Sequence, residues 1–246
     1  MIVFNPDVKV VVTGAASGIG RAVSLLLNQL GASVIAVDRD NDGLKKLQND
    51  AAFPENIFTE ICDLVSDIAA LPGFVTNLKE KYGKLNGLVC AAGMTQLKPL
   101  QIADMNDYQQ IFNLNYFAPI FLAKGFVDRR NNVGKGAAVV FISSIEALTA
   151  RRAMSAYAGT KAALSASAKA IAKEVAQNGV RVNCIMPGDV KTPMTEAIPN
   201  MLTERAPLFP LGIGKPEDIA ALAAFLLSDQ AAWITGKDYI IDGGFL

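Results

Sequence analysis

The feature that most constrains the fold of this chain is a regular alternation of short apolar runs with longer helical stretches. Most runs are apolar throughout, which is typical of parallel strands covered on both faces. The helical stretches lie near residues 18–30, 66–82, 104–129, 155–178 and 216–228. The predicted strands are Lys9–Thr13, Ser33–Val37, Ile57–Ile61, Gly87–Ala91, Ala137–Ser143, Arg181–Met186 and Asp238–Ile241. This alternation predicts an α/β fold, a doubly wound parallel sheet of about seven strands with helices on both faces.

A single domain over residues 1–246 is the expected organisation. The chain has 246 residues, 51% of them hydrophobic, which is enough to bury one large core. It contains no internal repeat and no linker long enough to divide it. Only residues 189–214, with prolines at 193, 199, 207 and 210, lack clear periodicity. This segment is long for a loop without structure of its own, so we expect it to form a substrate-binding lid.

Composition excludes several classes of function. The formal net charge is zero, so nucleic acid and anionic membranes are not expected partners. The first residues lack the pattern of a secretory signal, and no apolar run reaches transmembrane length. Cys62, Cys90 and Cys184 are widely spaced within apolar stretches and indicate buried core thiols, not a disulfide framework. A soluble protein of the cytoplasm is therefore expected.

The chain contains no histidine. This removes Ser-His-Asp and Cys-His catalysis, together with the commonest zinc ligand, and no metal site is expected. Acid–base chemistry must come from carboxylates, lysine, tyrosine or cysteine.

A glycine-rich turn joins the first predicted strand to the first helix. It runs Thr13-Gly14-Ala15-Ala16-Ser17-Gly18-Ile19-Gly20. Glycines let the backbone approach a pyrophosphate closely, and the helix N-terminus offers free N–H groups to an anion. Such a turn is a weak signal alone, but its position after the first strand predicts a Rossmann-type dinucleotide site formed by Gly14, Ser17, Gly18, Ile19 and Gly20.

The second strand leads into Asp38, eighteen residues after Gly20. An acidic residue at this strand end suits hydrogen bonds to the adenosine ribose. Its charge would repel a 2′-phosphate, so the sequence favours NAD over NADP. Arg39 leaves the alternative open, because a guanidinium there could pair with that phosphate.

Tyr157 and Lys161 lie four residues apart on a predicted helix and therefore share one face. A free phenol has a pKa of about 10 and is a poor base at neutral pH. A nearby ammonium group would favour the phenolate and lower that pKa. The alternative for the pair alone is an exposed tyrosine with a lysine one turn away.

Over essentially its whole length the chain resembles the short-chain dehydrogenase/reductases. The resemblance rests on seven motifs found in order: Thr13-Gly14-x-x-x-Gly18-x-Gly20, Asp63-Leu64, Asn115, Ser143-Ser144, Tyr157-x-x-x-Lys161, Pro187-Gly188-x-x-x-Thr192 and Asp242-Gly243-Gly244. The family fold is the doubly wound sheet predicted above.

The resemblance implies a catalytic set of Asn115, Ser144, Tyr157 and Lys161. Ser144 is selected over Ser143 because the family serine lies thirteen residues before the tyrosine, and Asn115 is preferred over Asn113. The family's cofactor contacts fall on Asp63 and Leu64 at the adenine, and on Ala91, Ala92, Gly93, Pro187, Gly188, Val190 and Thr192. Many members carry Asn-Asn-Ala-Gly where this chain has Cys90-Ala91-Ala92-Gly93, so a stabilising side-chain hydrogen bond is expected to be lost there.

The resemblance implies reversible hydride transfer between NAD and a small-molecule secondary alcohol or its ketone. An NADPH-dependent 3-oxoacyl thioester (acyl-carrier-protein) reductase is the main alternative, and a non-catalytic dinucleotide-binding regulator is the second. Family members commonly form homotetramers or homodimers. Glu146 and Met154 are expected to face the substrate pocket, with solvent as the alternative for Glu146. Arg151 and Arg152 could meet an anionic substrate, or could be an exposed charge pair.

Overall fold

The computed structural model of the protein describes residues 2–198 and 200–246. Over these residues seven parallel strands form one sheet in the order β3-β2-β1-β4-β5-β6-β7. The strands are β1 (Lys9–Thr13), β2 (Ser33–Asp38), β3 (Ile57–Ile61), β4 (Gly87–Cys90), β5 (Ala138–Ile142), β6 (Arg181–Pro187) and β7 (Asp238–Ile241). The direction of winding reverses between β1 and β4, which confirms the doubly wound sheet predicted from the sequence.

Helices connect the strands on both faces of the sheet. Over the described residues they are α1 (Gly18–Gln29), α2 (Asn41–Asn49), α3 (Leu71–Tyr82), α4 (Met105–Phe112), α5 (Ala118–Phe126), α6 (Glu146–Thr149), α7 (Ser155–Val175), α8 (Pro193–Glu196), α9 (Met201–Arg205) and α10 (Pro216–Leu227). One apolar cluster includes Val23 of α1 and Ala223 of α10. The other, on the opposite face, includes Phe126 of α5 and Leu164 of α7.

Several helical features differ from the sequence-based expectation, including the short helix α6, which was not predicted. The 104–129 stretch is interrupted by a π-helical turn at Asn113–Phe117, between α4 and α5. Helix α2 was not predicted, because it buries only Leu44 and Leu47 on an otherwise polar segment. Its start is fixed by Asp40, whose carboxylate accepts hydrogen bonds from the backbone N–H groups of the second and third helical residues, each at 3.1 Å.

The segment 189–214, hereafter the 189–214 segment, contains the short helices α8 and α9. Thr192 caps α8 through a reciprocal pair of hydrogen bonds with Thr195. Pro199, one of the prolines noted above, lies outside the described residues.

Cys90 and Cys184 are buried, as expected, but Cys62 is only half-buried. The expectation of a core thiol is wrong at Cys62, because this residue follows the edge strand β3 and faces the open end of the sheet. No helix in the described part of the chain is long and apolar enough to cross a membrane.

Candidate active site

The carboxyl ends of the strands meet at a cleft of about 680 Å³. Parallel strands bring their carboxyl ends to one edge of the sheet, and ligands of such sheets bind where the winding reverses. The cleft is lined by the predicted residues Gly14, Ser17, Gly18, Ile19, Gly20, Asp38, Asp63, Leu64, Ala91, Ala92, Gly93, Ser144, Tyr157, Lys161, Pro187, Gly188, Val190 and Thr192. The fold thus brings together residues separated by up to 178 positions in the chain.

Some cleft residues were missed by the sequence reasoning. They are Cys62, Val65, Met94, Gln110, Leu114, Pro193 and Thr195, and Asn113, weighed above only as an alternative to Asn115, lines the cleft as well. Gln110, Asn113 and Leu114 belong to the end of α4 and the π-helical turn. The helical spacing of Gln110 and Leu114 resembles that of a solvated helix face, so the sequence alone carried no signal for these two residues.

The glycine-rich turn is so tight that no side chain fits at Gly14 or Gly20. Gly14 has φ +68°, and a Cβ there would lie 2.8 Å from the Cα of Ala92. A Cβ on Gly20 would lie 2.2 Å from the carbonyl oxygen of Gly14. Helix α1 begins at Gly18. Ser17 is exposed, and its side chain makes no capping hydrogen bond to any described residue of the helix. Free N–H groups and open backbone therefore face the cleft, which fits a pyrophosphate.

Asp38 is fixed at the far side of this turn. Its Oδ2 accepts a hydrogen bond from the backbone N–H of Ala16 at 3.0 Å, and its Oδ1 accepts one from that of Asp40 at 3.1 Å. These contacts orient the carboxylate into the cleft. Arg39 also lines the cleft, but it is exposed.

Ser144, Tyr157 and Lys161 lie together at the other end of the cleft. Tyr157 and Ser144 both line the cleft, and the Ser144 hydroxyl lies close enough to the phenol to lower the pKa of Tyr157. The Nζ of Lys161 donates to the carbonyl oxygen of Ile142 at 2.9 Å and lies 5.7 Å from the centre of the Tyr157 ring. The pairing on one helix face predicted for Tyr157 and Lys161 is present, and Lys161 is buried.

The ionisation of this pair differs from the expectation. Burial raises the pKa of Tyr157 to about 12, opposed by the Ser144 hydroxyl and the charge of Arg151, whereas Glu146 and Asp189 raise it further. Burial lowers the pKa of Lys161 to about 8. The prediction that Lys161 lowers the Tyr157 pKa is wrong for the protein by itself, because burial dominates the pKa of both groups and Lys161 is not among the groups that shift the Tyr157 pKa.

Asn115 is buried behind the cleft wall in the π-helical turn. Its Oδ1 accepts from the backbone N–H of Met94 at 2.9 Å, and its Nδ2 donates to the Met94 carbonyl oxygen at 2.9 Å and to Thr160 Oγ1 at 3.3 Å. Asn113 instead accepts from Gln109 at 2.7 Å and lines the cleft. Asn115 thereby joins the segment after β4 to the helix that carries Tyr157. A π-helical turn at such a position is common at functional sites.

The expectation that Glu146 and Met154 face the pocket is wrong. Glu146 is buried and forms an ion pair with Arg151, and Met154 is buried outside the cleft lining. Arg151 is partly buried in that ion pair, so it is not half of an exposed charge pair, whereas Arg152 is exposed. Among residues 2–198 and 200–246, no group of three or more His, Cys, Asp or Glu side chains could hold a metal ion.

Comparisons with known proteins agree with this geometry. Residues 14–246 match the family model described as Enoyl-(Acyl carrier protein) reductase. The 3-oxoacyl-[acyl-carrier-protein] reductase FabG of Thermotoga maritima is 34% identical over 238 residues, which cover 96% of each chain. Cyclohexanol dehydrogenase of an Acinetobacter species is 30% identical over 261 residues, covering 98% of this chain and 96% of that enzyme.

The solved structures point the same way. A short-chain dehydrogenase/reductase from Brucella melitensis, described as a glucose/ribitol dehydrogenase, superposes with a TM-score of 0.92 at 29% identity and covers 100% of this chain and 99% of its own. The chain belongs to the short-chain dehydrogenase/reductase family, whose members are oxidoreductases that use nicotinamide dinucleotide cofactors.

Proposed function

We propose that the protein is an NAD(H)-dependent oxidoreductase acting on a small secondary alcohol or its ketone. The observation that carries the choice of NAD is the Asp38 carboxylate, held by two backbone N–H groups at the glycine-rich turn. A ribose diol can donate hydrogen bonds to this carboxylate, whereas a 2′-phosphate would bring a second negative charge against it. Arg39 is exposed and, among the described residues, forms no ion pair with Asp38. A solvent-exposed guanidinium would attract a 2′-phosphate only weakly.

The cofactor would extend along the lined cleft. The glycine-rich turn would hold the pyrophosphate, and Asp63 with Leu64 the adenine. Ala91, Ala92 and Gly93 would contact the nicotinamide-side ribose through backbone atoms, and Pro187, Gly188, Val190 and Thr192 would hold the carboxamide and pyrophosphate. When bound, the nicotinamide ring accepts the hydride of the alcohol or supplies it to the ketone.

The side chains at the other end of the cleft would handle the proton. Ser144 donates a hydrogen bond that places the substrate oxygen beside Tyr157, and Tyr157 removes the hydroxyl proton as phenolate. Positive charge brought close to the phenol lowers its pKa and opposes the burial that raises it. Lys161 would bind the nicotinamide ribose through its ammonium group, and Asn115 would hold a water that links Lys161 to solvent.

The 189–214 segment is proposed to close over the substrate as a lid. Pro193, Met194 and Thr195 line the cleft from this segment, and Met94 and Leu114 line it from elsewhere. These walls are mostly apolar, which supports a substrate with an apolar body around its hydroxyl-bearing carbon.

A 3-oxoacyl thioester reductase using NADPH is the second candidate. It is favoured by the names of relatives such as the Thermotoga maritima enzyme. Asp38 argues against its cofactor.

A spectrophotometric screen at 340 nm separates these candidates. The purified protein is tested with NAD⁺ and NADP⁺ against secondary alcohols, polyols, hydroxysteroids and 3-hydroxyacyl thioesters. Reduction of NAD⁺ alone supports the proposal, and the reactive alcohol identifies the substrate class. Preference for NADP⁺ with a thioester would establish the second candidate. Tight dinucleotide binding without turnover of any substrate would favour a non-catalytic regulator.

Tyr157→Phe tests the proposed base. We expect kcat to fall by about 10² to 10⁴, with NAD(H) affinity within a few-fold of the unaltered protein. Tyr116→Phe is the matched control, because its hydroxyl contacts Ser167 at 3.1 Å outside the cleft. Retention of most activity by Tyr157→Phe would contradict the assignment.

A further inference from the structure

A chain of four alternating charges runs behind the candidate active site. Glu146 pairs with Arg151, Arg151 Nη2 lies 3.9 Å from Asp189 Oδ1, and Asp189 Oδ2 accepts from Arg205 Nε. The carboxylates are buried, with side chains 3% exposed in Glu146 and 7% in Asp189. We call these residues the buried charge chain.

One end of the buried charge chain touches the segment that carries Ser144. The backbone N–H of Glu146 donates to Ser144 Oγ at 3.2 Å, and the backbone N–H of Arg151 donates to Glu146 Oε2 at 2.9 Å. A change in Glu146 therefore reaches Ser144 directly, and Ser144 faces Tyr157 across the cleft.

The other end lies in the 189–214 segment. Arg205 belongs to α9, and its Cζ atom lies 5.6 Å from the centre of the Phe209 ring and 5.5 Å from that of the Phe245 ring. Asp189 sits between Gly188 and Val190, which both line the cleft. The buried charge chain therefore connects α9 to the wall of the candidate cofactor site and then to Ser144.

The loop between Ser144 and Tyr157 holds an uncommon backbone. Ala150 has φ +48° and Ala153 has φ +64°, on either side of Arg151. Alanine disfavours this left-handed region, so the conformation persists only where surrounding contacts hold it. The Glu146 carboxylate supplies such contacts through both the backbone N–H and the side chain of Arg151.

Stability alone is a weak account of this arrangement. Removing charges from water costs several kcal/mol per ion, and buried ion pairs often stabilise no more than apolar residues of the same volume. Their value lies in geometry, because each charge has a fixed partner and loss of one leaves another unpaired.

We propose that the buried charge chain is a positioning unit that couples the placement of α9 to the placement of Ser144 and Tyr157. Arg205 pairs with Asp189, so Arg151 remains free to pair with Glu146. Glu146 in turn fixes the loop between Ser144 and Tyr157 through its contacts with Arg151. When α9 moves away, Asp189 loses its partner and draws Arg151 from Glu146. This coupling rests on the proposed function only for its kinetic consequence.

Hydrogen exchange of the full-length protein, resolved by mass spectrometry, tests the coupling without turnover. Glu146→Gln should raise exchange rates in α9, and Arg205→Met should raise them in residues 147–154, each by about tenfold, since losing the partner of a buried polar group destabilises local structure on that scale. Glu204→Gln changes an exposed charge beside Arg205 and should alter neither region. If each variant changes only its own neighbourhood, the coupling is wrong.

Arg205→Lys replaces Arg205→Met in this test if the methionine variant does not fold. The lysine keeps the charge but loses the guanidinium that lies against Phe209 and Phe245, so the same distant change is expected at reduced size.

A kinetic double-mutant cycle separates positioning from plain destabilisation. With a substrate found by the screen above, Arg205→Met should lower kcat/KM by up to about 100-fold, the scale of a small misplacement of catalytic groups. It should also raise the apparent pKa of the alcohol-oxidation profile. Asp189→Asn added to Arg205→Met should restore most of kcat/KM, because no buried charge then lacks a partner. Additive losses with an unmoved pH profile would reject the coupling, whereas a failed screen would leave the exchange result to decide it.

Discussion

The hydroxyl of Ser143 donates a hydrogen bond to the main-chain oxygen of Lys161 at 2.9 Å. This contact ties β5 to α7 and commits Ser143 to the framework. Both serines line the cleft, but only the Ser144 hydroxyl lies near enough to Tyr157 to lower its pKa. The two adjacent serines are therefore a natural pair for separating framework from chemistry.

Ser144→Ala should lower kcat by about 10² to 10³, the usual loss when a donor to a reacting oxygen is removed, with little change in melting temperature. Ser143→Ala should show the reverse pattern. It should lose about 1 kcal/mol of unfolding free energy with its buried hydrogen bond and keep most of its activity. Steady-state kinetics and chemical denaturation of both variants measure this. Equal losses of kcat in the two variants would contradict the assignment of Ser144 to catalysis and Ser143 to the framework.

Asp38→Asn should shift cofactor preference towards NADP(H). The amide oxygen can still accept one backbone hydrogen bond, but the charge that repels a 2′-phosphate is gone. We expect the ratio of kcat/KM for NAD⁺ over NADP⁺ to fall at least about tenfold. The control Asp42→Asn removes an exposed carboxylate of α2 outside the cleft lining. An unchanged ratio would show that Asp38 does not discriminate between the cofactors.

Lys161 should make the stability of the protein depend on pH. Its pKa is about 8 in the folded protein against an ordinary 10.5, so between these values the unfolded chain binds more protons. Stability of the wild type relative to Lys161→Met should therefore rise as pH increases from 8 to 10.5, by up to about 3 kcal/mol.

Denaturant titrations at several pH values measure this difference, with Lys173→Met on the same helix reporting the effect of removing an exposed lysine. A difference that stays constant across the window would contradict a buried ammonium with a lowered pKa.

The protein is expected to form a homotetramer or homodimer that uses the C-terminal strand. Trp233 is 99% exposed shortly before the edge strand β7, and Ile240 on that strand is 48% exposed. Exposed apolar groups beside an open strand edge are typical of an interaction surface. Trp233→Arg should therefore lower the mass measured by size-exclusion chromatography with light scattering. Ile61→Arg, at the opposite sheet edge and 63% exposed in the wild type, should leave the mass unchanged.

Much of the framework could be predicted because parallel strands buried on both faces are apolar throughout. The bounds of β1, β3 and β7 agree with the predicted ones, those of β2, β4 and β6 differ by one residue at one end, and β5 is one residue shorter at each end. Helix α2 was not predicted because only a capping residue, Asp40, and two buried leucines mark it in the sequence. The π-helical turn escaped because one extra residue in a helix leaves the apolar pattern of its neighbours nearly intact.

Within the site, the order of motifs along the chain located most of the cleft residues but not the hydrogen-bond and ion-pair partners of the charged ones. Glu146 carries a carboxylate that could bind a ligand, yet it pairs with Arg151. Arg151 lies in a turn whose left-handed backbone at Ala150 and Ala153 could not be predicted from alanine residues. The pKa of Tyr157 likewise depends on how much water the folded protein removes, which is a property of packing and not of spacing.

In the parallel sheet, all strands have their carboxyl ends at one edge and their amino ends at the opposite edge. The cleft lies at the carboxyl ends of the strands, whereas the turn at 133–136 lies at the amino end of β5, where Val133 and Lys135 are exposed. A reporter domain or affinity tag inserted into this turn would therefore lie at the edge of the sheet opposite the cleft. The architecture thus offers an attachment point for engineering that is set apart from the chemistry by the length of the strands.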